Sequence, residues 1–141
     1  SNEPTYERDV VSLNIRENME EGKSTTWFKY ASSKIPESLQ IDLIAKVDTD
    51  TVVFPNELLV EVELQLQARN NLHHPVGVYG GVAVGERDQM YFQGGLYFLS
   101  KDVASYITSQ GCNRSNIIHE MLERYGHRAE DREIGGFVET Y

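Results

Sequence analysis

The chain has 141 residues, 40% of them hydrophobic and 25% charged, which is about one domain with enough apolar side chain for a single modest core. Thirteen Lys and Arg against 22 Asp and Glu leave a net charge of −9. A surface of that sign repels nucleic-acid phosphates and anionic lipid, which excludes sequence-independent nucleic-acid binding, and a phosphate-bearing substrate would need an Arg/Lys cluster or a bound metal to hold it.

No stretch approaches the ~18 uncharged apolar residues of a membrane span. The first residues, Ser1-Asn2-Glu3-Pro4-Thr5, have neither the basic nor the apolar region of a signal peptide. They also lack a Met, as expected of a piece of a longer protein. A lone Cys112 excludes an internal disulfide and a cysteine-rich zinc site. Asn113-Arg114-Ser115 has the form of a glycosylation acceptor, a tripeptide that also arises by chance.

Residues 9–15 alternate as a short strand. Ser24 offers a helix N-cap, and Trp27, Phe28, Ala31 and Ile35 recur at helical spacing up to Pro36, a stripe that reads as core packing. Residues 41–47 read as a mostly apolar strand of the kind buried on both faces. That strand runs into Asp48-Thr49-Asp50 and a β-branched segment, 51–54. Pro55 opens a helix with Leu58, Leu59, Val62 and Leu66 on one side and Glu57, Glu61 and Glu63 largely on the other. Residues 75–84 are strand-like but rich in glycine, and 91–100 place aromatic residues on both sides of Gly94-Gly95. Ser100 caps a helix over 101–109, and a second helix over 115–125 ends at Gly126. Strands alternating with helices, without repeat or linker, predict a single α/β domain with a layered sheet and flanking helices.

Three features carry candidate chemistry. Asp48 and Asp50 stand at the carboxyl end of a strand, where α/β sheets bind ligands, and residues two apart on extended backbone point the same way. Their hard oxygens suit Mg²⁺ or Mn²⁺, which take further ligands from water and substrate phosphates. The competing reading is a polar turn leaving a strand. Glu130-Asp131 either favours a helix dipole or supplies a general base for an acceptor hydroxyl. Gly94-Gly95, between Phe92, Tyr97 and Phe98, either lets a sugar approach the backbone or marks a bulge in a core strand. His119-Glu120-Met121-Leu122-Glu123 begins like a zinc-protease helix, but Glu123 stands where a second His is required. His73-His74-Pro75 reads as an exposed loop.

The order of these features resembles the beta-1,3-galactosyltransferase and Fringe-like glycosyltransferases. Lys46-Val47-Asp48-Thr49-Asp50-Thr51-Val52-Val53 followed by Leu58-Leu59 is similar to that family's Lys, acidic triplet (the DxD motif), apolar pair and Leu-Leu helix. Gly94-Gly95-Leu96-Tyr97-Phe98-Leu99-Ser100 resembles its Gly-Gly, aromatic, Leu-Ser element. Glu130-Asp131-Arg132-Glu133-Ile134-Gly135 resembles its late acidic pair, and Tyr6 to Val11 with Lys23 and Trp27 resembles the segment before the acidic motif. The resemblance implies a GT-A fold, a Rossmann-like layered sheet. It also implies a nucleotide-sugar donor, commonly a UDP-sugar, a glycan or glycoprotein acceptor, Mn²⁺ or Mg²⁺, and inverting transfer of a hexose. By position, Asp48 and Asp50 would hold the metal and diphosphate. Asp131 would be the base, and Gly94, Gly95 and Glu130 would contribute to substrate binding. Members are usually anchored in the Golgi membrane, with an anchor that would lie outside residues 1–141.

Two departures from the pattern bear on these expectations. Thr49 replaces the middle acid of the triplet. The family's first strand would precede Tyr6 and a further metal-site histidine would follow Tyr141, so the chain is expected to be the central part of a catalytic domain. A non-catalytic, chaperone-like relative of the same fold and an acidic interaction module are the competing readings.

Overall fold

In the computed structural model, which describes residues 11–13, 15, 22–68, 75–85, 91–109 and 111–141, helices and strands are mixed but do not strictly alternate, because two strands follow one another and three helices come after them. The described elements run in the order α1 (Lys23–Lys34), a 3₁₀ turn (Glu37–Leu39), β1 (Leu43–Val47), α2 (Pro55–Ala68), β2 (Tyr79–Val84), β3 (Tyr91–Ser100), α3 (Lys101–Thr108), α4 (Arg114–Tyr125) and α5 (Glu130–Glu139). The fold is mixed α/β, with a three-stranded sheet in the order β1-β3-β2. Both pairings are antiparallel: Leu43 stands opposite Ser100 and Val47 opposite Leu96, while Tyr79 stands opposite Leu99 and Val84 opposite Tyr91.

Side-chain alternation along β3 divides the molecule into layers. Tyr97 and Leu99 are fully buried and join Phe28 and Ala31 of α1, Val103, Ala104 and Ile107 of α3, and Ile134 and Phe137 of α5 in one core. Leu96 and Phe98 face the other way, toward α2, where they line an apolar groove of about 390 Å³ with Leu58, Val62 and Leu66. Full burial of side chains such as Phe28, Leu99 and Phe137 stabilises by roughly 1.5–3 kcal/mol each, so the α1–α3–α5 side carries most of the apolar stabilisation.

Four local expectations change. Residues 41–47 do not form a strand buried on both faces: among the described residues β1 pairs only with β3, Ile44 is its one buried residue, and Val47 is 44% exposed. The α2 stripe is only partly covered, since Leu66 is buried while Leu59 is 59% exposed. Helix α1 starts one residue before Ser24, with Gly22 at the N-cap, so Ser24 lies inside the first turn. Of the strand expected over 9–15, Val11, Ser12, Leu13 and Ile15 are described and form none. The rest of that stretch, Tyr6 to Val10 and His73-His74 lie outside the described residues.

Helix ends follow the sequence more closely. Pro55 opens α2. Gly126 ends α4 in the left-handed region at φ 72°, with its N–H donating to Leu122 O, a conformation glycine takes without a Cβ penalty. Ser100 stands at the N-cap of α3, although its hydroxyl accepts from Val78 N at 2.9 Å instead of capping the helix. Cys112 is a buried free thiol in the core. His119 Nε2 and Glu123 Oε1 lie 3.3 Å apart on the exposed face of α4, one turn from each other, an ordinary helix-surface contact.

Candidate active site

The site is built where the end of β1, the middle of β3 and the start of α5 meet. Strand β1 ends at Val47, and Asp48 to Thr51 form a turn closed by Thr51 N–H donating to Asp48 O at 3.0 Å. A turn, not extended backbone, therefore sets the directions of the two acids. Both still line one open cleft of about 700 Å³, together with Lys46, Thr49, Trp27 and Lys23. Asp48 N–H donates to Gly95 O at 3.1 Å, fixing the turn to β3.

Lys46 is the hub of the cluster. Two residues before Asp48, it sends Nζ to Asp48 Oδ1 at 2.5 Å, to Gly94 O at 3.1 Å and to Asp131 Oδ1 at 4.0 Å. Its stem passes over the ring of Tyr97, with Nζ 5.6 Å from the centroid. The side chain is only 14% exposed, against 40% for Asp48 and 28% for Asp131. One cation thus stands between Asp48, just past β1, and Asp131 of α5, against the β3 backbone. In the sequence Lys46 stands out only as part of a family pattern. The available signal was its spacing of two from Asp48, which puts a charge of opposite sign beside the acid.

Asp131 sits in the first turn of α5 and lies against Gly94. Burial pushes its carboxyl above the ordinary aspartate range, and the charges of Asp48 and Glu130 push the same way. Lys46 and the Gly94 N–H pull it back. Beneath the cluster, burial raises the Tyr97 phenol far above its usual value and the Tyr79 phenol to about 12, so both stay neutral at physiological pH.

Gly94 and Gly95 fall where β3 carries extra residues opposite β2, between the pairs Gly81–Tyr97 and Ala83–Phe92. A Cβ at Gly94 would stand 2.5 Å from Asp131 Oδ2, and one at Gly95 would stand 3.1 Å from Thr51 Oγ1. The space left by both glycines is thus filled by the chain's own side chains. This makes the irregular strand, not an open backbone, the immediate reason for the pair.

Glu130 turns the other way. It is 7% exposed, and its two oxygens accept from Ser24, at 2.8 Å from the hydroxyl and 3.4 Å from the backbone N–H. A carboxylate distant in sequence thereby caps α1, a role its neighbour Asp131 does not share. Glu133, 2% exposed, is held by a bidentate pair with Arg128 at 2.6 and 2.9 Å. Neither contact was visible in sequence, because both depend on which elements pack together.

No group of three or more His, Cys, Asp and Glu gathers into a metal cage among the described residues. The donor set is instead two carboxylates, Asp48 and Asp50, on one cleft. Such a set suits a hard divalent cation that keeps waters and completes its shell with phosphate oxygens.

Comparison with known proteins identifies a family. A family model described as Galactosyltransferase matches residues 1–88, a stretch that contains Lys46, Asp48, Asp50 and α2 and stops short of Gly94 and Asp131. No curated protein matches the chain, and no solved structure does.

Proposed function

The chain belongs to the galactosyltransferase family of glycosyltransferases, and from that premise we propose that it moves a hexose from a nucleotide-sugar, a UDP-sugar first, to an acceptor hydroxyl of a glycan with inversion at the anomeric carbon. The observation that carries this reading is the meeting of Asp48, Lys46, Gly94 and Asp131, brought together from distant parts of the chain, with Lys46 and Asp48 lining one open cleft.

Asp131 is the general base of this reaction. Its carboxylate takes the proton of the acceptor hydroxyl as that oxygen bonds to the anomeric carbon, and the nucleoside diphosphate departs with the electrons of the broken bond. A carboxylate whose proton affinity is raised by burial is a better proton acceptor than an exposed one, and the charge of Lys46 pulls that affinity the other way. Lys46 also orients it, which matters because a misplacement of ~1 Å can cost ~10²-fold in rate. Asp48 and Asp50 are the residues that would hold Mn²⁺ or Mg²⁺. A bound cation there would supply Lewis-acid stabilisation of the departing diphosphate and offset the acidity of the protein. Glu130 supports the site from behind, by fixing α1 to the start of α5.

Family membership points to the secretory pathway, and we propose the Golgi lumen as the compartment. Among the described residues no helix is long and apolar enough to cross a membrane.

The test is nucleoside diphosphate release from a panel of UDP-hexoses, with Mn²⁺ or with chelator, and with or without glycan acceptors. Metal-dependent release that rises with one acceptor class is the expected result. Tight donor binding without turnover under any condition would instead make the chain a non-catalytic relative.

A further inference from the structure

The cleft beside Asp48 has an aromatic wall that the proposed chemistry does not use. Trp27, on α1, lines it together with Asp48, Asp50 and Lys46. The indole is half-buried, packed at the edge of the core, and its Nε1–H donates to Ala45 O at 2.9 Å. That bond ties the ring to β1 and uses the indole's only donor. Tyr30 supports it from the same helix, with ring centroids 6.3 Å apart and planes 24° from parallel. What remains toward the cleft is fixed apolar ring surface beside carboxylates.

We propose that Trp27 is the stacking platform of a pyranose subsite. A pyranose has one face of C–H groups and a rim of hydroxyl donors. A held aromatic ring matches the first, and the Thr49 hydroxyl with the carboxylate oxygens that a cation would leave free lines the same cleft for the second. A nucleobase would also stack on such a ring, and the UDP arm of the experiment separates it from the sugar. The subsite rests on the glycosyltransferase reading, and the pyranose belongs to either the donor hexose or the acceptor glycan.

Trp27 is the chain's only tryptophan, so its emission reports on this wall alone. The experiment titrates the protein, with Mn²⁺ present, with UDP, UDP-hexoses and acceptor oligosaccharides. Calorimetry on the same samples establishes which of them bind. A saturable emission change with a UDP-hexose but not with UDP assigns the platform to the donor sugar. A change with an oligosaccharide alone assigns it to the acceptor. Trp27→Leu should weaken that same ligand by about tenfold, the scale of one lost ring stack. Trp27→Phe, which keeps an aromatic face and guards against a folding defect, should restore most of the affinity. Calorimetric binding of sugar ligands with unchanged emission overturns the platform while leaving the transferase reading intact. An equal response to UDP alone overturns it in favour of the base. Absence of binding by every ligand in calorimetry removes the transferase reading and the subsite together.

Discussion

The carboxylate of Asp131 lies against Gly94, so that a Cβ at position 94 would fall 2.5 Å from Asp131 Oδ2 and 3.0 Å from its Cγ. The glycine is therefore a condition for the placement of the acid. Gly94→Ala should push Asp131 off the β3 backbone, with loss of the Gly94 N–H contact and an overpacking cost of about 1–3 kcal/mol. Gly95→Ala should cost less, since its nearest neighbour is Thr51 Oγ1 at 3.1 Å, on a loop side chain that can turn away. Denaturant unfolding of the two variants checks the order; equal losses would mean that Asp131 yields freely.

A second relationship spans the chain. Glu130 takes both hydrogen bonds of Ser24, which is 106 positions away. Glu130→Ala should leave a buried hydroxyl and N–H without their acceptor, at a cost of about 1–3 kcal/mol. Glu130→Gln keeps an acceptor and should lose less. Combining Glu130→Ala with Ser24→Ala should cost less than the sum of the two, measured by denaturant unfolding. Additive losses would show that the contact contributes nothing.

The raised carboxyl of Asp131 has a stability consequence of definite sign. Because the native state holds this proton more tightly than the unfolded chain, its contribution is full below the unfolded pKa and is lost as pH rises through the native one. Asp131→Asn removes that dependence. In metal-free buffer, thermal melts of the Asn variant should therefore gain on those of the parent as pH rises from the aspartate range toward neutrality. A gap that stays constant or narrows over that window would contradict the direction assigned to Asp131.

Local signals in the sequence were read well wherever the cause is local. Pro55 at a helix start, Gly126 in the left-handed region and the aromatic run of β3 each act within a few residues. The mixed α/β class is legible in the mixture of helix and strand signals, whereas the succession of β2 and β3 and then of α3, α4 and α5 departs from strict alternation. The exposure of Val47 and Leu59 and the displaced start of α1 depend on which elements pack against which, and composition does not encode that. The site shows the same division. Residue type and order single out Asp48, Asp50 and Asp131 as candidates, while the Lys46 bridge and the Glu130 cap arise only when β1, β3, α1 and α5 meet. Adjacent acids in one motif thus face opposite partners, one toward the cluster and one toward α1.

The proposed cation site makes different demands on the two acids of the turn. Asp50 is exposed on the cleft, whereas Asp48 is already engaged by Lys46 at 2.5 Å. Asp50→Ala should weaken Mn²⁺ binding in the presence of a nucleoside diphosphate by about tenfold or more, the scale of one lost charge-assisted contact, with little change in thermal stability. Isothermal titration calorimetry on both proteins checks it. Unchanged binding would remove Asp50 from the set that would hold the cation.

The central claim is that Asp131 is the base of a glycosyl transfer, and one comparison tests it most directly. Parent and Asp131→Asn proteins are assayed for sugar transfer with the donor and acceptor that give the parent its highest rate, alongside calorimetric donor binding. Loss of a positioned general base costs about 10²–10⁴-fold in rate. The account predicts a fall of that size in the Asn variant, with donor affinity nearly unchanged. Transfer by the Asn variant at the parent's rate would contradict it, because the proton would then be leaving by another group.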